Sequence, residues 1–409
     1  TNGDKQRLNY IRGKTATAIN ASNYRTRESL MGDIINSSPL YVGPPTASEY
    51  KNTDLESSFA SFITSKGGRD SMIYVGANDG LLHGFDVNGN EKMAFAPSKV
   101  IPNMVEFSQQ EYSHQFYVDG TPTAANVRAQ FVTGSDSWRT VLVGGLRRGG
   151  QGIYALDITD PSRFIDGGNS VDNTRAAATL LWEFSDDVAL AATANDKYTA
   201  DADLGYSYSD PQVMRLNDGN FYVVLGNGYN STEADGNASS TGDAVLYLLN
   251  IATGEVFKKM STQTGMEEDP NRAPLDPVTS GLGNGLATVT GFDGGELSGG
   301  YLTGKADGKI DYVYAGDLFG NVWKFDLSST DSDNWGASAP TRLFTAQDAS
   351  ANAQPITSQI EAVRLSNNEI MLYFGTGKLL EQADAQTANI STQTFYGIVD
   401  SGATLARSD

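Results

Sequence analysis

Ile73-Tyr74-Val75-Gly76-Ala77-Asn78-Asp79-Gly80-Leu81-Leu82-His83-Gly84-Phe85-Asp86 is an apolar strand ending in Gly, a short polar turn, and a second strand closing on Asp. The phrase recurs from Val141-Leu142-Val143-Gly144 to Ile153-Tyr154-Ala155-Leu156-Asp157, and from Val223-Val224-Leu225-Gly226 to Leu246-Tyr247-Leu248-Leu249-Asn250. A fourth copy runs from Tyr312-Val313-Tyr314-Ala315-Gly316 to Val322-Trp323-Lys324-Phe325-Asp326, and a fifth from Leu372-Tyr373-Phe374-Gly375 to Phe395-Tyr396-Gly397-Ile398-Val399-Asp400. Self-similarity of this kind marks a repeat architecture.

Flanking segments widen each hairpin to four strands. Ahead of it stand Ser38-Pro39-Leu40-Tyr41-Val42, Gly120-Thr121-Pro122-Thr123, Asp210-Pro211-Gln212-Val213, Gly285-Leu286-Ala287-Thr288-Val289 and Gln354-Pro355-Ile356. Behind it come Met93-Ala94-Phe95, Leu180-Leu181-Trp182-Glu183-Phe184, Val256-Phe257-Lys258-Lys259-Met260 and Arg342-Leu343-Phe344. Pro is tolerated at the first residue of a strand, where its missing N–H breaks no ladder. Strands that are apolar throughout fit blades covered on both faces. The expected fold is all-β, a modified β-propeller of four-stranded antiparallel blades, occupying residues 1–409 as one domain with 1–35 as a lead-in. Pro39, Pro122 and Pro211 recur at more than the ~40 to 50 residues of compact blades, so long loop insertions are expected to carry what is particular to the chain.

Composition sets outer limits. The chain of 409 residues has 49 acidic and 29 basic side chains, a net charge of −20, which argues against a generic nucleic-acid binder. Cysteine is absent, which removes disulfides and thiol catalysis. No apolar run approaches the ~20 residues of a membrane span, and no signal peptide is visible. A start at Thr1 rather than Met is read as a processed or excised piece.

The leading chemical candidate precedes the fourth hairpin, where Thr303-Gly304-Lys305-Ala306-Asp307-Gly308-Lys309-Ile310-Asp311 resembles part of a calcium loop. With Gly308 at position 6 of the EF-hand frame, Asp307 takes position 5, the Lys309 carbonyl position 7 and Asp311 position 9. Thr303 and Lys305 depart from the ligand pattern at positions 1 and 3. The alternative is a plain Asp-Gly turn feeding a strand. Asn88-Gly89 reads as a hairpin turn, and Glu233-Ala234-Asp235-Gly236-Asn237 with Asp243 as a polar insertion. His83 and His114 are the two imidazoles, each expected in a hydrogen-bonded structural role. The Gly-rich run 144–152 with Arg147 and Arg148 lacks the Gly-Lys-Ser/Thr of a phosphate loop and is expected to be a hairpin turn. Trp182 and Trp323 are expected in the core.

Several segments together carry a family resemblance. Arg12-Gly13, Tyr24-Arg25-Thr26-Arg27, Leu30-Met31-Gly32-Asp33-Ile34-Ile35-Asn36-Ser37-Ser38-Pro39 and Tyr74 through Phe85 look like the C-terminal domain of the PilC/PilY family. Tyr112-Ser113-His114, Tyr117-Val118-Asp119-Gly120, Ala155 through Pro161, Asp203-Leu204-Gly205-Tyr206, Asp311 through Asp317 and Phe374-Gly375-Thr376-Gly377 continue it in the same order. The resemblance implies a non-enzymatic type IV pilus-associated protein that supports pilus biogenesis, extension against retraction, twitching motility and adhesion. It implies export through the periplasm to the cell surface, pilus tip or outer membrane. Implied partners are minor pilins or the pilus tip complex and a host or surface receptor, with no nucleic acid and no integral membrane span.

The same resemblance implies seven blades in the family, a domain continuing beyond the equivalent of Val399-Asp400, and calcium held by the loop before the Asp311-Tyr312-Val313-Tyr314 strand. Carried over position by position, Asp307, the Lys309 carbonyl and Asp311 match the ligands, while Thr303 and Lys305 do not. Two other classes remain in view: a propeller enzyme of the quinoprotein dehydrogenase type, and a periplasmic scaffold. The enzyme would be expected to use adjacent cysteines, and Cys is zero.

Overall fold

The computed structural model describes residues 2–14, 23–164, 178–193, 197–265, 283–295, 297–298, 300–302, 304–380, 382–386 and 391–405. The first blade is the antiparallel sheet β1 (Leu40–Val42), β2 (Met72–Gly76), β3 (Leu82–Asp86) and β4 (Glu91–Phe95). The second has β5 (Thr123–Val132), β6 (Ser135–Gly145), β7 (Gly152–Asp157) and β8 (Leu180–Ser185), with β9 (Tyr198–Ala200) added in parallel to β8. The third is β10 (Gln212–Arg215), β11 (Phe221–Gly226), β12 (Val245–Asn250) and β13 (Val256–Ser261).

The fourth blade starts at β14 (Thr290–Phe292), passes a small hairpin of β15 (Leu297–Ser298) and β16 (Tyr301–Leu302), and continues with β17 (Tyr312–Gly316), β18 (Asn321–Asp326) and β19 (Thr341–Thr345). Among the described residues three strands make the fifth: β20 (Glu361–Arg364), β21 (Ile370–Gly375) and β22 (Phe395–Val399). Phe395, at the edge of that sheet, is 74% exposed.

Alternation along the strands explains why they are apolar throughout. Val223 and Leu225 of β11 pack with Val143, Phe184 and Tyr247 between blades two and three, whereas Val224 between them packs with Leu246, Val313 and Phe325 between blades three and four. Tyr314 and Leu372 join blades four and five in the same manner. Each face of a central blade is therefore an interface, and each fully buried Val or Leu is worth ~1.5 to 3 kcal/mol. In four blades the ladder between third and fourth strands slips by one residue, at Gly84/Phe85, Ala155/Leu156, Leu248/Leu249 and Val322/Trp323. Such bulges increase the local twist.

In blades one and three the Gly that closes the second strand has a packing cause. A Cβ on Gly76 would lie 2.4 Å from the Val118 carbonyl oxygen, and one on Gly226 2.4 Å from that of Leu286. The chain entering the next blade crosses at these points. In the fifth blade the nearest atom to such a Cβ on Gly375 is 4.0 Å away.

This crossing also displaces two strands from their expected places. Gly285–Val289 and Gln354–Ile356 were the expected openings of blades four and five, but the strands are Thr290–Phe292 and Glu361–Arg364. Leu286 and Ile356 instead pack across Gly226 and Gly316 of the preceding blades. The Ile356 amide donates to the Asp317 carbonyl at 2.9 Å, and the Leu286 carbonyl accepts from Gly228 at 3.0 Å.

The lead-in lies against blade one. Helix α1 (Asn2–Ile11) buries Tyr10 and Ile11 in the core shared with Tyr74 and Leu82, and Tyr10 stacks on Tyr24 at 5.0 Å. Helix α2 (Glu56–Lys66), inserted between β1 and β2, places Phe59 against Trp138 with ring centroids 4.7 Å apart. Among the described residues no helix is long and apolar enough to cross a membrane.

Candidate functional site

The segment ahead of β17 is a turn at the end of the β14–β17 pair of the fourth blade. Gly308 at its apex has φ +85°, a conformation that glycine adopts without Cβ strain. Thr303 lies outside the described residues, and Lys305 is exposed. The Asp307 carboxylate accepts from the Lys309 amide at 3.0 Å and holds the Lys309 Nζ at 2.7 Å. Asp311 is 6% exposed; its Oδ2 accepts from the amides of Gly294 at 3.0 Å and Gly295 at 2.7 Å, and its Oδ1 from Asn217 Nδ2 at 3.1 Å.

A residue not anticipated from the sequence completes this arrangement. Asp293, directly after β14, accepts from the amides of Asp307 at 3.1 Å and Gly308 at 2.8 Å. The two segments thus exchange pairs of N–H donors, Asp293 serving the turn and Asp311 serving the segment that carries Asp293. Burial pushes the Asp293 pKa up, and the charges of Asp307 and Asp311 add to that, while the two amides oppose it. The available signal was Asp293-Gly294-Gly295, an acid ahead of two glycines.

Calcium asks for oxygens with lone pairs free to point at one centre, six to eight of them at 2.3–2.6 Å. Both lone pairs of Asp311 Oδ2 are engaged by amides, and one oxygen of Asp307 carries an ammonium. Among the described residues no three His, Asp or Glu side chains converge on a metal position. The donors that the described residues supply in this arrangement are already engaged and do not fit the ion.

The lead-in motif is a network laid over blades one and two. The Gly32 amide donates to Asp79 Oδ2 at 2.8 Å, Asn36 Nδ2 to Asp119 Oδ2 at 2.7 Å, and the Gly76 amide to Ser37 Oγ at 2.9 Å. His114 Nε2 meets Asp33 at 2.9 Å. His83 is buried, with Nε2 3.1 Å from Asp79 and Nδ1 2.6 Å from Glu91. Burial disfavours its charged form, but the bonds to Asp79 and Glu91 outweigh that and raise the pKa to about 9. A cavity of about 760 Å³ opens beside His83, with Leu8, Leu30, Met93, Phe95 and Phe164 on its walls and Arg12, Lys92 and Arg163 among its cations.

The remaining sequence candidates have local roles. The run 144–152 connects β6 to β7 through a single turn at Arg147–Gly149, and Arg148 lies over the Phe116 ring at 4.7 Å. Asp86 Oδ1 accepts from the amides of Asn88 and Asn90, both at 2.9 Å, closing the Asn88-Gly89 turn. Asp243 is buried, its Oδ2 taking the Ser261 hydroxyl at 2.5 Å. Trp182 and Trp323 are in the core.

A family model described as the PilY1 beta-propeller domain matches residues 31–273 and 281–407. A type IV pilus biogenesis factor PilY1 homolog of Xylella fastidiosa (strain Temecula1) is 37% identical over 98% of this chain and 27% of its own length. The type IV pilus biogenesis factor PilY1 of Pseudomonas aeruginosa (strain PAK) is 35% identical over 97% of this chain and 30% of its own. The chain therefore spans between a quarter and a third of these relatives. The crystal structure of the Pseudomonas aeruginosa PilY1 C-terminal domain superposes with a TM-score of 0.63 and 33% identity, covering 90% of this chain and 67% of that one.

Proposed function

The chain belongs to the PilY1 β-propeller family, and from that premise we propose that it is the propeller part of a type IV pilus biogenesis factor with a mechanical rather than catalytic role. The observation that carries this reading is similarity over nearly the whole chain, both to curated pilus biogenesis factors and to a solved domain of one of them. A propeller offers a rigid stack of sheets with loops at its ends, a suitable body for docking onto a pilus assembly while insertions face outward. The buried interblade cores supply the rigidity.

On this reading the protein reaches the cell surface through the periplasm, contacts minor pilins or the pilus tip complex, and supports extension against retraction, twitching motility and attachment to a host or surface receptor. Calcium control forms no part of it, because the donors around Asp307 and Asp311 are already engaged.

The experiment is immunogold labelling of intact cells with an antibody to this domain, paired with blotting of sheared pilus fractions. Label at pilus tips and in the sheared material is the expected result. Label confined to the periplasm, with clean pili, would overturn the pilus-associated reading and favour a periplasmic scaffold.

A further inference from the structure

We propose that the turn from Asp307 to Asp311 ahead of β17 is held without any divalent cation, by a reciprocal clasp of Asp293 and Asp311 in which the Lys309 ammonium is the resident positive charge. The inference concerns the loop alone and stands or falls separately from the pilus reading.

A bound cation in such a loop compensates carboxylates gathered from separate points along the chain. Here that compensation comes from backbone dipoles. Four amides, those of Asp307, Gly308, Gly294 and Gly295, point at Asp293 and Asp311 over 2.7 to 3.1 Å. Hydrogen bonds to ionised acceptors are roughly twice as strong as neutral ones, and convergent amides make an anion site in their own right. Because each aspartate holds amides of the other's segment, opening either side releases both.

The third carboxylate, Asp307, has a cation of its own. Lys309 Nζ sits 2.7 Å from Asp307 Oδ2, with the lysine side chain 23% exposed and the aspartate 53% exposed. A calcium ion ligated by Asp307 would lie within ~5 Å of that ammonium, and the repulsion would require the lysine to swing away. Lys305 adds a second ammonium at a position where the calcium frame needs an oxygen. Calcium would therefore have to displace an ammonium and at least one amide to enter. The cost of that exchange is the physical reason for the proposal.

The test uses the purified chain dialysed against EGTA and then returned to buffer. Isothermal titration with calcium chloride should give no saturable heat, and the melting temperature should stay within ~1 °C between excess EGTA and 1 mM calcium. A site with a Kd of ~10 µM would be about 99% filled at that concentration and would raise the melting temperature by a few degrees. Saturable calcium heat with such a rise, lost in Asp307→Asn, would overturn the proposal.

Hydrogen exchange in EGTA tests the clasp itself. Asp293→Ala should speed exchange at the Asp307 and Gly308 amides by about tenfold, and Lys309→Met by about threefold, as suits an exposed ion pair. Unchanged exchange in Asp293→Ala would remove the clasp from the argument. Unchanged exchange in Lys309→Met would remove the lysine's role.

Discussion

The turns closing the central hairpins of blades one and four have the same length and solve the same problem differently. Their registers coincide, with Val75 opposite His83 in one and Ala315 opposite Trp323 in the other, and each has a glycine at positive φ, Gly80 at +93° and Gly320 at +84°. In blade four Asp317 stands directly after the strand-ending Gly316. Its Oδ1 accepts from the amides of Phe319 at 2.9 Å and Asn321 at 2.8 Å, and its Oδ2 from Asn284 and Asn321 side-chain amides at 2.9 Å and Trp323 Nε1 at 2.7 Å.

In blade one the acid is Asp79, two places later in the frame, and it reaches His83 Nε2 instead of an indole. Both turns thus put a carboxylate against a ring N–H on the facing strand. They differ in whether that ring can titrate. An indole N–H remains a donor at every accessible pH, whereas an imidazole exchanges protons in the physiological range unless its surroundings shift it.

The largest effect that tests this comparison belongs to Asp317. Its pKa is raised by complete burial, against the hydrogen bonds that favour the anion. Asp317→Ala leaves buried donors of Trp323, Asn321 and Asn284 without an acceptor, and should cost about 3 to 5 kcal/mol, read as a fall in the urea midpoint. A loss under ~1 kcal/mol would mean that the turn does not depend on the acid, and the comparison breaks.

A smaller effect separates the two turns by pH. His83 has a folded pKa of about 9 against an ordinary value of 6.5, so its contribution is fully present below 6.5 and is lost as pH rises through 9. The difference corresponds to up to about 3 kcal/mol between those limits. Urea midpoints for the wild type should fall across that window, and those of His83→Gln should fall less. Equal slopes would show that the blade-one turn is as indifferent to pH as its counterpart.

The smallest expected effect is that of Glu91→Gln. Glu91 is half exposed, with 48% of its side chain in solvent, so its share of the His83 interaction is screened. A cost of about 0.5 to 1 kcal/mol at pH 7 is expected, and the His83 ring protons should titrate lower in NMR spectra. A cost equal to that of removing Asp79 would mean that the outer carboxylate governs the ring.

Much of the architecture was legible in the chain. The hairpins lie where the repeated phrase places them, because a strand buried between two blades needs apolar residues at every position and so shows as an unbroken run. First strands were harder to place. Leu286 and Ile356 look like strand residues, yet they cross the end of the neighbouring blade before the chain enters its own sheet. Pattern within a segment does not report contact with another segment.

The loop before β17 shows the same division. Asp307, Gly308, Lys309 and Asp311 were visible as a turn with acids at alternate positions, and the Gly308 conformation follows from that local pattern. Asp293 was not visible as part of it. It is 14 residues from the amide of Asp307, across the β15–β16 hairpin.

By itself the sequence determined the repeat, the strand-rich class, the absence of thiol chemistry and the net charge of −20, since these depend on residue type and short spacing. Tertiary structure alone decided which carboxylate faces which donor: Asp293 with the turn amides, Asp311 with Gly294 and Gly295, Asp317 with Trp323. Hydrogen bonds act over about 3 Å, and only the folded sheet brings groups from separate segments within that distance.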